Sequence, residues 1–510
     1  MRFKKMPTVG VGLMTAFVGA GTPAIAQDSG EELAPINVTA GVPAPGSPLL
    51  QATSIDVVTG EEKEREQGAS LGQTLDHLPG VDSLTAGNNV GKPVIRGLSG
   101  NRVRILSNGI GVDHQQYGTR HGPNIDPFLS DRIEVVRGAS SILYGSDAIG
   151  GAVDVQPLAL PFSDNDERRS NGEAKTAFHT NNDQWTTGLK GKSVGPQWSF
   201  NGGVTRREAG NITTPDAQDF SDPNAPADAP KFTGELDFTD FEQTNGQVGM
   251  GYRGDFGELR LRYTGWRSEQ NFLLKNGKGI GQDLTNDEIQ LDGSIPLGGA
   301  AGWELEPTFA WQNNRRRANE GGTPRSELFD GSIDLEFDQY TSRLEAKHGL
   351  LGPFDGGTLG VEYREKQQES RGTTLLSPGG EVTSLSAFAF EEMVIGDFTL
   401  QTGVRQDRIE TTGDEDESRA ATSSFGGRDS ETYNVTTGSL GGSYQFTDNL
   451  TVASNIATGF RAPTLFERFA DGVHGGVAAV QKGEPELDPE RSLETDLSLR
   501  WRSETLSASA

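Results

Sequence analysis

Residues 93–155 read PVIRGLSGNRVRILSNGIGVDHQQYGTRHGPNIDPFLSDRIEVVRGASSILYGSDAIGGAVDV. Short β-branched runs, at Val94-Ile95, residues 102–106 and residues 133–136, alternate with glycine-dense turns. β-Branched side chains suit a pleated, half-buried surface, and glycine takes up the turn conformations that other residues resist. The stretch therefore predicts a small, tightly turned sheet domain. Just upstream, residues 54–59 predict a strand. Thr59-Gly60-Glu61-Glu62 predicts a helix start, with acids in the first turn where the helix dipole favours them. Residues 61–66 read as a solvated face of that helix.

Residues 1–26 carry the pattern of a secretory signal. Arg2, Lys4 and Lys5 lead an apolar segment from Val9 to Ala20, and Ala24-Ile25-Ala26 makes a small-residue cleavage site before Gln27. That segment is well short of the roughly 20 residues a spanning helix needs, and no later run approaches that length. A mature chain is then either soluble in the periplasm or embedded as a β-barrel, since only helices and closed barrels satisfy the backbone in lipid. The chain contains no cysteine, which excludes disulfides and thiolate metal sites. Its 510 residues are too many for one ordinary domain, and its formal net charge is −27. There is no basic patch to hold nucleic acid, while an acidic exterior would draw cations toward a binding site.

From about Gly172 onward the pattern is strand, turn, strand. Val248, Met250 and Tyr252 share one face; after the Gly254-Asp255-Phe256-Gly257 turn, Leu259, Leu261 and Tyr263 do the same, with Arg260 and Arg262 opposite. Leu440, Gly442, Tyr444 and Phe446, then Leu450 and Val452, repeat this around Thr447-Asp448-Asn449. Apolar-out, polar-in alternation predicts an outer-membrane barrel rather than a soluble sandwich. Short turns such as Ile395-Gly396-Asp397-Phe398 are expected on the periplasmic side. The polar stretches 211–231, 313–331, 364–383 and 410–433 are expected to be extracellular loops.

The 93–155 stretch resembles the plug of TonB-dependent outer-membrane receptors. The resemblance rests on Ile95-Arg96-Gly97, Asn101-Arg102-Val103, Asn108-Gly109, Arg132-Ile133-Glu134-Val135, Arg137-Gly138, and Tyr144-Gly145 through Gly150-Gly151, all in one order. Leu71-Gly72-Gln73-Thr74-Leu75 with Leu78-Pro79-Gly80-Val81 matches the family's next helix and its proline stop. The resemblance implies a mainly β protein, an N-terminal α+β plug domain inside a 22-stranded antiparallel transmembrane β-barrel. It divides the chain into a signal peptide (1–26), a TonB box and linker (27–50), a plug (51–160) and a partial barrel (161–510). The roughly 350 residues after position 160 supply about fourteen to sixteen strands, and the chain stops soon after a strand begins near Leu493. The barrel is therefore expected to be incomplete, the sequence being truncated at its C-terminus.

An energised importer is implied, monomeric, in the outer membrane of a Gram-negative bacterium and in contact with its lipid. There is no G-x-S-x-G, P-loop or H-E-x-x-H motif to imply an enzyme. Pro35, Ile36, Asn37, Val38, Thr39 and Ala40 look like a TonB box, which would add as a strand to the sheet of the TonB protein. Arg96 and Arg137 resemble the two plug arginines that latch onto barrel carboxylates in the family, with Asp496 as one partner.

For cargo, Asp113, His114 and His121, flanking Tyr117, with Asp126, Asp471 and His474, offer the imidazole and carboxylate groups that suit zinc when cysteine is absent. The 99–112 and 469–490 segments resemble the zinc-uptake branch of the family. Gly459-Phe460-Arg461-Ala462-Pro463, followed by a histidine and a Pro-x-Leu box, also resembles haem receptors, although here the box reads Glu-Pro-Glu-Leu. Zinc leads, iron–siderophore or haem uptake is the alternative, and no resident cofactor is expected beyond the transported ion or chelate.

Overall fold

The β-branched runs of the 93–155 stretch become strands of a small mixed sheet. The computed structural model describes residues 54–87, 89–113, 118, 120–138, 140–215, 217–218, 231–232, 234–274, 279–320, 333–372, 379–414, 429–474, 479–502 and 507–509. The expected signal peptide, the TonB box and His114 lie outside the described residues, as does the side chain of His474.

The plug begins with β1 (Ile55–Thr59), α1 (Gly60–Glu66) and α2 (Leu71–Leu75). The hairpin β2 (Val81–Ala86) and β3 (Val90–Ile95) follows, then β4 (Val103–Ser107), β5 (Ile110–Gly111), β6 (Ser130–Arg137), α3 (Ser141–Tyr144) and β7 (Gly151–Pro157). The main sheet runs β1-β6-β7-β4-β5, with β4 and β7 parallel and the other pairs antiparallel. Alternate residues of β4, β6 and β7 (Val103 and Ile105, Ile133 and Val135, Val153 and Val155) meet Leu71 and Leu75 of α2 in one buried core. Each such side chain contributes about 1.5–3 kcal/mol through its removal from water. Ser70 caps α2 by accepting from the Gln73 backbone N–H. The expected solvated face of α1 is interrupted at Lys63. Its side chain is buried and its Nζ donates to the carbonyls of Pro127 and Ser130, at 3.1 and 2.7 Å.

The remainder forms one antiparallel sheet of 15 strands in chain order, from Arg169–His179 to Ser507–Ser509, with short hairpins and one short helix in its described connections. Its polarity is inverted. In Trp198–Ala209 the apolar Phe200 and Val204 are exposed, while Ser199, Asn201, Thr205 and Arg207 are buried. In Phe241–Gly254, Val248 and Met250 are exposed, whereas Gln243, Asn245 and Gln247 are buried. The Gly257–Leu273 strand sets exposed Leu261 and Tyr263 against buried Arg262, as the alternation predicts. Apolar groups face outward and amides inward, the opposite of a soluble sheet and the pattern required by lipid. The inward face touches the plug from Lys190 on one side to Asp496 on the other, so the sheet wraps around it.

Turns at Asp255-Phe256, Gly396-Asp397 and Asp448-Asn449 define one rim; the connections after Ala209, Glu320, Gly413 and Arg461 define the other. Several expected loops are strand. Residues 313–320, 364–371, 410–413 and 430–433 extend strands of 16–18 residues, and Gly279–Gly298 reaches 20. A bilayer needs only about 9–11 residues per tilted strand, so these ends project beyond the hydrocarbon. There neither face is apolar, and Asn313-Asn314-Arg315-Arg316-Arg317 carries no alternation to read.

Candidate functional site

The functional surface is the seam between plug and wall, and its two flanks are built differently. On the first flank the chain enters β6 through Asp126-Pro127-Phe128-Leu129. Asp126 caps this short turn by accepting from the Phe128 N–H. Its carboxylate also takes both ends of the Arg207 guanidinium, at 2.9 and 2.8 Å, a hydrogen bond from Asn245 at 2.7 Å, and one from the Thr205 hydroxyl. Asp126 and Arg207 are each 2% exposed. Burial alone would raise the Asp126 carboxyl, but Arg207, Thr205 and Asn245 outweigh it and hold the group at about 2. Beside this pair the wall lacks side chains. A Cβ added at Gly188 would come within 2.7 Å of Phe128, and one at Gly203 within 2.6 Å of Leu129. Glycine at these two positions lets plug and wall approach closely.

On the second flank the contacts are wetter. Arg96 pairs with Glu494 and, at 2.6 Å, with Asp496. It sits with Gly97 at the tip of a tight turn, both at positive φ (50° and 81°), closed by reciprocal backbone bonds between Ile95 and Leu98. A non-glycine residue in that region costs on the order of 1 kcal/mol, a strain the surrounding structure holds. Arg102 grips Glu490 with two bonds, at 2.9 and 2.6 Å. Glu490 is shared with buried Arg461, which also holds Glu467, the residue that completes a capping box with Thr464 on α4 (Leu465–Phe469). The Phe-Arg-Ala-Pro motif thus anchors the wall-side carboxylate that Arg102 meets.

Between the flanks lies a cleft lined by Arg104 and Asp113 of the plug, Ser146 and Asp147 before β7, and Arg364 and Lys366 of the Gly356–Arg371 strand. It is a narrow, partly open cleft with a free volume of about 60 Å³. Nearby on the plug, burial and then Arg316 bring the Lys92 ammonium down to about 7.

Asp496 meets Arg96 as the sequence reading expects. Among the described residues Arg137 has no partner on the wall; it pairs with Asp56 of β1 and donates to Ser54 at 3.2 Å, tying the plug's first strand to β6. Arg102 takes the place expected of Arg137. Of the expected metal ligands, those among the described residues, His121, Asp113, Asp126 and Asp471, are not brought together. His121 Nδ1 lies 2.8 Å from the Arg316 guanidinium, Asp113 is enclosed by cations, and Asp126 belongs to the opposite flank. Asp471 lies on a separate hairpin, Asp471–His474 with Ala479–Lys482. Among the described residues no group of three or more His, Asp or Glu side chains is placed to hold a metal ion. The sequence reading missed Arg207, Asn245, Glu490, Arg364 and Lys366. Inward-facing charge on the alternating strands marks such positions, but the partner of each is set by three-dimensional contact.

Residues 48–152 match the family described as TonB-dependent Receptor Plug Domain, and residues 228–510 the one described as TonB dependent receptor-like, beta-barrel. The chain belongs to the TonB-dependent receptor family. TonB-dependent receptors are outer-membrane β-barrel proteins of Gram-negative bacteria, and transporters rather than enzymes. The vitamin B12 transporter BtuB of Photobacterium profundum is 25% identical over 456 residues, covering 87% of this chain and 64% of its own length. The chain thus spans less than two thirds of that relative. Among solved structures, the copper transporter OprC aligns with a TM-score of 0.69 and 16% identity, over 90% of this chain and 70% of its own. The Serratia marcescens hemophore receptor HasR aligns with a TM-score of 0.68 and 14% identity, over 89% and 70%. At such identities the likeness is one of fold.

Proposed function

We propose that this protein performs TonB-dependent active transport of a scarce metal across the outer membrane, taken up as a chelate rather than as a bare ion. The observation that carries the reading is that a plug with its own core meets an inward, largely polar wall mainly through ion pairs and hydrogen bonds, with a smaller apolar contact where Leu143, Tyr144 and Ala148 pack on Phe388. The polar contacts can be exchanged for water when the plug is pulled, and the apolar patch is small beside the plug's own core. The related transporters carry vitamin B12 and copper, and HasR binds a hemophore and heme, which fits a metal-centred cargo. Zinc enters as the metal of a complex, because His121 and Asp113 face cations that would repel the free ion. The fifteen strands belong, in this reading, to a barrel of the family's twenty-two, and the protein acts as a monomer.

Coupling runs through residues 35–40. Once cargo binds, this segment is presented to the periplasm and adds as a strand to TonB. Arg96, Arg102 and their wall carboxylates act as the latch. The test is energy-dependent accumulation of radiolabelled zinc and iron chelates in cells with and without TonB. Ile36→Pro removes a backbone donor from the added strand, so it should abolish accumulation while leaving cargo binding at the cell surface intact. Equal loss of both would refute the coupling role.

A further inference from the structure

Arg364 and Lys366 stand two residues apart on one strand, so both side chains point to the inward face. They are 11% and 5% exposed, and Arg104 opposite them on β4 is 7% exposed. All three converge on Asp113: Arg104 at 3.2 Å, Lys366 at 3.5 Å and Arg364 at 3.9 Å. Arg104 also reaches Asp147, at 3.2 Å. Three desolvated cations therefore meet at Asp113, with Asp147 beside Arg104 and with Glu362 within electrostatic reach of Arg364 and Arg104. One of those cations is incompletely bonded, for Arg364 Nη1 is buried without a hydrogen-bond partner. A buried guanidinium N–H left unbonded is unfavourable, and an added anionic oxygen relieves it.

The cleft lies toward the rim of long connections. Thr464 and Leu465, from the connection after Arg461, line it along with Gln368 and Thr411 near the far ends of their strands. A chain with a net charge of −27 thus concentrates cations at a plug–wall cleft where these features converge. We infer that this cleft is a subsite for an oxyanion of the cargo, a carboxylate or phosphate group seated between Arg364, Lys366 and Arg104. The inference rests on the transporter reading above and deepens it by naming the charge and donor chemistry of the chelate. The guanidiniums offer paired N–H groups to the oxyanion and Lys366 a third donor, while Asp113 competes for the same cations.

Calorimetry on the full chain purified in detergent tests this, with ferric citrate, iron-free citrate, inorganic phosphate and zinc chloride as probes. An anionic probe is expected to bind, and Arg364→Gln or Lys366→Gln to weaken it about tenfold or more. Arg364→Lys should restore part of the loss. Asp113→Asn removes the competing carboxylate and should tighten the anion, an outcome that a merely structural role would not produce. Citrate bound in preference to phosphate assigns a carboxylate subsite, and the reverse a phosphate subsite. The inference is overturned if no anionic probe binds below about 1 mM, or if zinc chloride alone binds and is indifferent to Arg364→Gln. Because these measurements need no TonB, their failure is distinguishable from failure of the transport reading, which the uptake assay decides.

Discussion

The two flanks of the plug meet the same wall through ion pairs of opposite character. Asp126–Arg207 is bidentate, supported by Thr205 and Asn245, and closed to water. Arg96 and Arg102 meet Asp496, Glu494 and Glu490 with side chains 39% and 44% exposed. Breaking the first leaves a buried charge stranded; breaking the second exchanges one hydrated partner for another. The difference teaches that the plug is not held uniformly. It is anchored at the turn before β6 and only clipped near β3 and β4, so a pull should free the clipped side first.

The largest effect should follow from Asp126→Ala. It strands Arg207 and should cost about 3–5 kcal/mol, seen as early loss of plug protection in hydrogen exchange and in limited proteolysis. An unchanged plug would show that the anchor is no anchor. The same pair makes a pH prediction. A carboxyl held at about 2, below its ordinary 3.8, contributes stability that is fully present above the ordinary value and lost as pH falls through about 2. Exchange protection around Asp126 should therefore persist at pH 4.

A smaller effect is expected at β6, the strand that joins the two flanks. Burial, and then the Asp154 charge, push Glu134 up to about 7 from 4.5. The fold thus favours the protonated acid, and this stability is present below about 4.5 and lost as pH rises through about 7. Protection of β6 should fall between pH 5 and 8, and Glu134→Gln should flatten that trend; a flat wild-type profile would contradict it. The smallest effect belongs to Arg96→Gln, about 1 kcal/mol or less for so exposed a pair. It should leave thermal unfolding nearly unchanged while speeding exchange in β3. If Arg96→Gln instead matched Asp126→Ala, the distinction between anchor and clip would fall.

How much of this was legible depended on the kind of signal. The plug strands announced themselves because Val103, Ile105, Ile133 and Val135 alternate into a core. The barrel was legible through Val248, Met250, Leu261 and Tyr263, whose outward faces are apolar. Strand ends such as Arg315–Arg317 were not, since both of their faces are polar there, Arg316 buried inward and Arg315 and Arg317 part-exposed on the other side. The Arg96–Asp496 pair could be anticipated from motif positions. Arg137 could not be separated from Arg102 by the same means, because Arg102 immediately precedes one short β run and Arg137 closes another, and only the turn geometry decides which one meets the wall. The surroundings of His121 and Asp113 were hidden for a related reason. Sequence counts donors, whereas His121 and Asp113 owe their character to Arg316, Arg104 and Lys366 arriving from elsewhere in the chain.

Gly188 and Gly203 carry a consequence of another sort. They form sockets for Phe128 and Leu129, yet their own strands pair through backbone hydrogen bonds that ask nothing of a side chain. A valine at either position would leave the strand pairing intact and hold the cork away from its seat. In the twenty-two-stranded barrel proposed above, such a variant should leak, admitting detergents and bulky antibiotics past the displaced plug, and two missing methyl groups would then belong to the permeability barrier of the envelope.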